Sequence, residues 1–301
     1  MKKFVWSIVA FAVPSVGLLA LISIARYASL EPMCSQMFHV RPEQKILILG
    51  DSHAQCDFLE KPDFGIKMLV YHSTQMNISL IRLKELERRG GLSGIKLCVL
   101  NFCQTTIREW NEEELLESSW RMMPYALRHC EWIFVDRHRV YLNLMRKMLV
   151  SPHDLPPLAA DPSWRIDGAS FADRPADWRR KNVEGELGRH FGEFKAMKDS
   201  RKLQLQTLRE INNVCTRHGI KLVLYSAPLT KEYYEGIPDW AKANMEWWKV
   251  VVKDMGIPYY DYMQRCGPDM FADCDHLLKS GAERFTDLFY CEVLKPLLED
   301  R

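Results

Sequence analysis

Residues 45–56 read KILILGDSHAQC, an apolar run that stops at a glycine and continues with an acid, a serine and a histidine. The four apolar residues from Ile46 to Leu49 predict a strand that is covered on both faces, which is typical of a parallel sheet. Gly50 lets the chain turn sharply where the strand ends. Because ligands collect outside the carboxyl ends of parallel strands, Ser52 falls where a nucleophile or a binding group is expected.

Strand-like and helix-like patterns alternate along the rest of the chain. The patterns predict strands at 65–73, 95–102, 131–136, 221–228 and 257–262, and helices at 77–90, from 111 onward, and at 199–217, 239–255 and 279–298. Such alternation favours parallel strands joined by helical crossovers, so the sequence predicts an α/β fold, a three-layer α/β/α sandwich with a mostly parallel sheet. Residues 151–198 hold five prolines and show no periodicity, and they are predicted to form an insertion that covers the substrate.

The first residues differ from the rest of the chain. Lys2 and Lys3 precede an uncharged run from Phe4 to Ala25, which as a helix with a rise of ~1.5 Å per residue is long enough for the ~30 Å hydrocarbon core of a membrane. The basic residues before the run favour an N-terminus inside the cell. We therefore expect a signal-anchor helix at 1–26, a connector at 27–44 and a domain at 45–301 outside the cytoplasm. A long cleaved signal peptide and a buried core helix are the alternatives.

Composition disfavours several classes of function. The chain has 41 basic and 39 acidic residues, and a net charge of +2 argues against a nucleic-acid partner. Nine cysteines are present, but no two have the Cys-x-x-Cys spacing of a zinc site or a thioredoxin-like redox protein. We therefore expect no metal and no organic cofactor.

A serine needs a base, and the base needs an orienting group, before the hydroxyl becomes a good nucleophile. Residues 270–285 read MFADCDHLLKSGAERF and supply both groups just before the last predicted helix. In a turn, the i, i+3 spacing brings Asp273 beside the ring of His276. Asp273 would then fix the tautomer and stabilise the imidazolium that forms when His276 accepts a proton from Ser52. The adjacent Asp275 is expected to point elsewhere.

The GDSH sequence at 50–53 and the late D-x-x-H resemble the SGNH/GDSL superfamily of esterases, deacylases and acyltransferases. The ending DCDHLLKSGAERFTDLF at 273–289 is similar to that of its membrane-anchored extracytoplasmic branches, which include bacterial polysaccharide O-acetylation proteins. The resemblance spans roughly residues 45–298 and is specific at the two ends. It implies a flavodoxin-like sandwich in which Ser52 is the nucleophile, His276 the base and Asp273 the orienting acid. It also implies a single-pass protein of the bacterial inner membrane whose periplasmic domain acts on acyl esters of glycans.

The chain departs from this superfamily in its middle. The superfamily supplies a glycine N–H and an asparagine side chain to the oxyanion hole, and neither is evident here. Ser73 or Gln75 is a candidate for the first donor. Asn101 or Gln104 is a candidate for the second, and Gln104 is preferred because Asn101 falls early on its strand.

Three further residues lie beside the predicted nucleophile. Gly50, Asp51 and His53 flank Ser52 and are grouped with Ser73 and Gln104 as oxyanion or substrate-binding candidates. His53 either lines the site or is a buried, hydrogen-bonded histidine. The ending departs from the superfamily as well, because Leu278 stands where asparagine is usual.

Two functions follow from these observations. The first is a membrane-tethered serine esterase or O-acyltransferase that acts on acyl esters of envelope or extracellular glycans. The alternative is a non-catalytic glycan-binding or assembly protein of the cell envelope, which the altered middle segments favour.

Overall fold

The computed structural model describes residues 35–70, 72, 75–104, 106–107, 166–192 and 200–300, with isolated positions between 14 and 32 and between 128 and 142. The chain divides into two compact units. The first, Met1–His39 with Glu112–Leu158, is described only in part, and the second comprises Val40–Asn111 and Ala159–Arg301. Most of the predicted anchor at 1–26, the predicted helix after 111 and the predicted strand at 131–136 lie outside the described residues. Within the described residues, no helix has both the length and the apolar character needed to cross a membrane.

A parallel sheet of five strands forms the centre of the second unit. The strands are β1 (Ile46–Gly50), β2 (Ile66–Val70), β3 (Leu97–Asn101), β4 (Lys221–Ser226) and β5 (Tyr259–Asp261). Their order is β2-β1-β3-β4-β5, and every neighbouring pair is parallel. The predicted α/β fold with a parallel sheet is confirmed. In this flavodoxin-like order the connections leave in opposite directions between β1 and β3, which makes that gap the expected place for a site.

Helices connect and follow these strands. They are α1 (Ser52–Asp57), α2 (Met76–Arg88), α3 (Ala176–Phe191), α4 (Ser200–Arg217), α5 (Lys231–Gly236), α6 (Asp239–Asp254), α7 (Lys279–Phe289) and α8 (Lys295–Glu299). Short 3-10 helices lie at Pro62–Phe64, Phe171–Asp173 and Pro268–Met270. A π-helical turn, Tyr290–Leu294, joins α7 to α8 without a break in the helical backbone, so the helix predicted at 279–298 is confirmed and contains one π turn.

The sheet is covered on both faces. Every residue of β1 and β3 is buried, as their continuous apolar runs predict. Ile46 and Ile48 share one core cluster with Phe58, just after α1, and with Phe285 of α7. Because successive strand residues alternate between faces, the equally buried Leu47 points to the opposite face. This burial is what the predicted sandwich of three layers requires.

The lack of periodicity predicted for 151–198 is wrong for residues 176–191, which form the regular helix α3. Its inward stripe consists of Val183, Leu187 and Phe191, which are four residues apart and pack against the core cluster. Charged residues surround this narrow stripe, and that composition concealed the helical period.

Candidate active site

The turn after β1 is too tight for any residue but glycine at position 50. A Cβ atom on Gly50 would lie 2.7 Å from the Cβ of Ala54 and 2.8 Å from the Cβ of Asn101, and the Gly50 φ angle is +154°. Asp51 caps α1 by accepting a hydrogen bond from the backbone N–H of His53 at 3.0 Å. The turn therefore places Ser52 as the first residue of α1, at the carboxyl end of the sheet beside β3.

The loop that carries the predicted base is closed by its own backbone. Phe271 and Leu277 form an isolated antiparallel bridge, and the N–H of Ala272 donates to the carbonyl oxygen of His276 at 2.9 Å. A Cβ atom on Gly281 would lie 2.1 Å from the carbonyl oxygen of Met270, so glycine lets α7 pack directly against the start of this loop. The segment 272–276 is thus held between a bridge and a closely packed helix.

The structure brings together the three residues predicted to be catalytic. The Oγ atom of Ser52 lies 2.9 Å from Nε2 of His276. Nδ1 of His276 lies 3.1 Å from Oδ2 of Asp273, and Asp273 also accepts the backbone N–H of His276 at 2.7 Å. The side chain of His276 is 12% exposed and that of Asp273 is 26% exposed, so both are partly accessible to solvent. This geometry suits proton transfer from the serine to the imidazole.

The expectation that Asp275 points elsewhere is wrong. Asp275 is fully buried, and its Oδ1 atom lies 3.2 Å from Nδ1 of His276. Its Oδ2 atom lies 3.3 Å from Nε2 of His53. The backbone turn between Asp273 and His276 folds both carboxylates onto the same ring nitrogen. A D-x-D-H sequence in one tight loop was the signal for this second acid.

His53 is a buried, hydrogen-bonded histidine, which is one of the two alternatives for this residue. Its side chain is only 3% exposed, and its Nδ1 atom lies 3.2 Å from Oδ1 of Asp51. The same Asp51 oxygen accepts a hydrogen bond from Nδ2 of Asn101 at 2.7 Å. A continuous series of polar contacts therefore runs from Asn101 through Asp51, His53, Asp275 and His276 to Ser52.

Opposite charges within this series outweigh the effect of burial. Burial would lower the pKa of His276, but Asp275 and Asp273 raise it well above the ordinary value of 6.5. Burial would likewise lower the pKa of His53, but Asp51 and Asp275 raise it well above that value. Burial would raise the pKa of Asp275, but His276 and His53 hold it well below 3.8. The pKa of Asp51 is lowered in the same way by His53, against the effect of burial. Asp51 and Asp275 are therefore ionised over a wide pH range.

The predicted oxyanion donors have different outcomes. Nε2 of Gln104 donates to Sδ of Met263 at 3.0 Å, and Ser73 lies outside the described residues. Asn101 ends β3 next to the Gly50 turn, but its amide nitrogen donates to Asp51. Asp51 in turn faces His53 and Asn101, so its carboxylate is part of the support behind Ser52. A role for Gln104 or Ser73 in holding an oxyanion stays a prediction.

Helix α3 contributes side chains that the sequence analysis missed. Oδ1 of Asn182 accepts the N–H of Cys274 at 2.9 Å, which fixes the middle of the base-carrying loop. His190 is buried, its Nδ1 atom lies 2.6 Å from the hydroxyl oxygen of Tyr233, and it is 3.7 Å from Oδ2 of Asp275. Both residues lie in the segment predicted to lack periodicity, so no sequence signal connected them to the site.

Some of these side chains have the spacing of metal ligands. Within the part of the chain that the structure describes, three sets have ligand atoms within 4.8 Å of one another: Asp51, His53 and Cys103; His53, Asp275 and His276; and Glu186, His190 and Asp275. The first two sets contain histidines whose ring nitrogens already face carboxylates or Ser52. Hydrogen bonds and ion pairs thus account for their arrangement.

Comparisons with known proteins give little further information. No protein-family model matches the chain, and no curated protein matches it. Among solved structures, it is similar to a protein from Bacteroides fragilis that is described as a "putative acylhydrolase", with 13% identity and a TM-score of 0.42. That similarity covers 90% of this chain and 98% of the other. A likeness of this size carries no argument about function, which rests on the site itself.

Proposed function

We propose that this chain is a serine hydrolase or acyltransferase that acts on acyl esters. The observation that carries the proposal is the contact of 2.9 Å between Ser52 Oγ and His276 Nε2. The two residues come from opposite ends of the domain, 224 positions apart. Their meeting at the switch point of a parallel sheet, with an acid on the far nitrogen of the imidazole, is the arrangement that activates a serine.

The first half of the reaction transfers the acyl group to the enzyme. Ser52 Oγ attacks the ester carbonyl carbon while its proton passes to His276 Nε2. Asp273 remains ionised and stabilises the imidazolium. The tetrahedral intermediate then collapses, the bond between the carbonyl carbon and the leaving oxygen breaks, and His276 returns the proton to the leaving alcohol. The product of this half is an ester between Ser52 and the acyl group.

The second half decides between hydrolysis and transfer. A water molecule or the hydroxyl group of an acceptor gives its proton to His276 and attacks the carbonyl carbon of the acyl-enzyme. The bond between that carbon and Ser52 Oγ then breaks, and His276 returns the proton to Ser52. Water yields a free acid, and an acceptor hydroxyl yields a new ester. We propose a glycan of the cell envelope as the carrier of the ester or as the acceptor. The support for this substrate is the resemblance of the two motif-bearing ends to polysaccharide O-acetylation proteins.

The proposed location is the periplasmic face of a bacterial inner membrane, with residues 1–26 as a single anchor. Its support is the uncharged run from Phe4 to Ala25 and the two lysines before it. Protease protection of the intact chain in spheroplasts tests this proposal: the domain after residue 44 is expected to be digested from outside. Full protection of that domain would contradict the proposed location.

Ester turnover tests the catalytic proposal. The purified chain is expected to hydrolyse short-chain 4-nitrophenyl esters, and Ser52→Ala is expected to reduce the rate to background. Ser93→Ala, at an exposed serine outside the site, is the matched control and should retain the wild-type rate. Equal rates for wild type and Ser52→Ala would contradict the assignment of Ser52 as nucleophile.

A non-catalytic glycan-binding protein is the second candidate. It is favoured by the hydrogen bonds of Gln104 to Met263 and of Asn101 to Asp51, because these occupy the amides that were expected to hold an oxyanion. Removal of one such donor costs catalysis ~10²–10³-fold in characterised enzymes. Saturable binding of an acetylated polysaccharide by a folded chain that turns over no ester would support this candidate over the first.

A further inference from the structure

His53 lies between two carboxylates behind the proposed nucleophile. Its Nδ1 atom is 3.2 Å from Oδ1 of Asp51, and its Nε2 atom is 3.3 Å from Oδ2 of Asp275. All three side chains are at least nine-tenths buried. The two contacts connect the GDSH turn with the base-carrying loop. His53 therefore links these two segments on their buried side.

The partners of His53 require it to carry two protons. A carboxylate only accepts hydrogen bonds, so each ring nitrogen that faces one must donate. Oδ1 of Asp51 also accepts from the backbone N–H of His53 and from Nδ2 of Asn101. Such an oxygen has no proton to give. The geometry therefore fits an imidazolium that neutralises part of the charge of two buried acids.

The ring of His53 is also stacked on the ring of His276. The ring centroids are 4.9 Å apart, and the planes are inclined by only 16°. A positive charge at this distance opposes a second positive charge on His276. In contrast, Asp273 and Asp275 both lie within 3.2 Å of Nδ1 of His276 and favour its protonated form. The base is thus subject to two opposed influences.

We propose that His53 is a positioning residue, a permanent cation that binds Asp275, stacks on His276 and keeps that imidazole able to accept the proton of Ser52. This inference rests on the proposed function, because it concerns the base of the same reaction. Without the cation, Asp275 would act on His276 unopposed, and His276 would hold its own proton more tightly. His53 would then set the pH range in which the enzyme works without contacting the substrate.

Other titratable groups face this pair and must be considered in any pH experiment. Cys103 lies with Asp51 and His53 in one cluster, and the ring of His190 is 6.4 Å from that of His53. Glu186 lies with His190 and Asp275 in a second cluster. Asp57, at the end of α1, and Arg189, at the end of α3, also interact electrostatically with His53 and Asp275 respectively.

The dependence of kcat/KM on pH tests the proposal. His53→Gln keeps an amide that can donate to Asp275 but removes the charge, and it is expected to move the acidic limb of the profile to higher pH by about one unit or more. At a pH on the acidic side of the limb, kcat/KM of His53→Gln is then expected to be lower than that of the wild type by tenfold or more. The difference is expected to disappear at higher pH. Asp275→Asn removes a carboxylate from His276 and is expected to move the limb to lower pH. His218→Gln is the control. This partly exposed histidine pairs with Glu87, and both residues lie outside the GDSH turn and the base-carrying loop.

Several outcomes separate the possible failures. A His53→Gln profile that superimposes on that of the wild type would overturn the inference while leaving the proposed function intact. If the wild type turns over no ester, the proposed function fails, and ¹⁵N NMR of the imidazoles still decides the inference. We expect both ring nitrogens of His53 to stay protonated from pH 5 to 9 in the wild-type chain. Titration of His53 in the ordinary histidine range would overturn the inference. The same NMR measurement decides the question if His53→Gln does not fold.

Discussion

Two Asp–His pairs meet in this site, and they differ in burial more than in chemistry. Asp273 and His276 are partly exposed, at 26% and 12%, and His276 contacts Ser52. Asp51 and His53 are almost fully buried, at 8% and 3%, and their side chains contact each other, Asn101 and Asp275. The partly exposed pair is placed to accept the proton of Ser52 when this serine attacks a substrate. The buried pair has little access to solvent, and the contact between its opposite charges stabilises both of them there.

The difference teaches that an acid beside a histidine does not by itself identify a catalytic base. Both pairs are close in sequence, with spacings of two and three residues. Besides burial, the pairs differ in the atom on the far side of each histidine ring. For His276 that atom is a hydroxyl oxygen, and for His53 it is the carboxylate of Asp275.

The largest effect is expected when the contact between Ser52 and His276 is removed. His276→Ala and Ser52→Ala are each expected to lower kcat for ester turnover by about 10⁴-fold or more, and the double variant by no more than either single one. Steady-state kinetics with a short-chain aryl ester measures this. Losses that multiply in the double variant would show that the two residues do not act as a unit.

The next effect concerns Asp57, a buried residue at the end of α1 opposite Ser52. Burial raises the pKa of Asp57 to about 8, against the opposing effect of His53 and of the hydrogen bond from Tyr225. Because the folded-state pKa exceeds the unfolded one, folding takes up a proton, and the stability that depends on Asp57 falls as pH rises from about 4 to about 8.

Asp57→Asn removes this titration. Its unfolding free energy relative to the wild type is expected to increase by several kcal/mol between pH 5 and pH 8, at up to about 1.4 kcal/mol for each pH unit. Urea denaturation at the two pH values measures the change. A difference between the two chains that is independent of pH would contradict the neutral state of Asp57.

A third effect concerns the two acids on His276. Asp273→Asn and Asp275→Asn are each expected to reduce kcat by about 10²-fold or less, because the other carboxylate remains within 3.2 Å of the same nitrogen. The double variant should approach the loss seen for His276→Ala. If Asp273→Asn alone reaches that loss, Asp275 contributes nothing to orienting the ring.

The smallest effect concerns the support from α3. Asn182→Ala removes the acceptor for the N–H of Cys274 and is expected to lower stability by about 1 kcal/mol. Its turnover should fall only a few-fold, since Thr230 still donates to the carbonyl oxygen of Cys274. Asn244→Ala, on the distant helix α6, is a matched control for thermal unfolding. A loss of turnover as large as that of His276→Ala would show that α3 positions the base directly.

Sequence patterns predicted β1 to β4 well because continuous apolar runs report burial on both faces of a sheet. They located Ser52 and His276 because each follows or precedes a recognisable element. The sequence did not reveal the position of Asp275, because its direction depends on the hydrogen bonds that turn the loop around Asp273. The sequence also did not reveal α3, because the narrow apolar stripe of this helix lies among charged residues. Asn182 and His190, which lie on α3, were therefore not identified.

The most direct test of the central claim is covalent labelling of the folded chain by a fluorophosphonate, with the modified residue located by mass spectrometry. We expect one adduct, on Ser52, that disappears in His276→Ala. Absence of an adduct on Ser52 in the folded wild-type chain, or an undiminished adduct in His276→Ala, would contradict it.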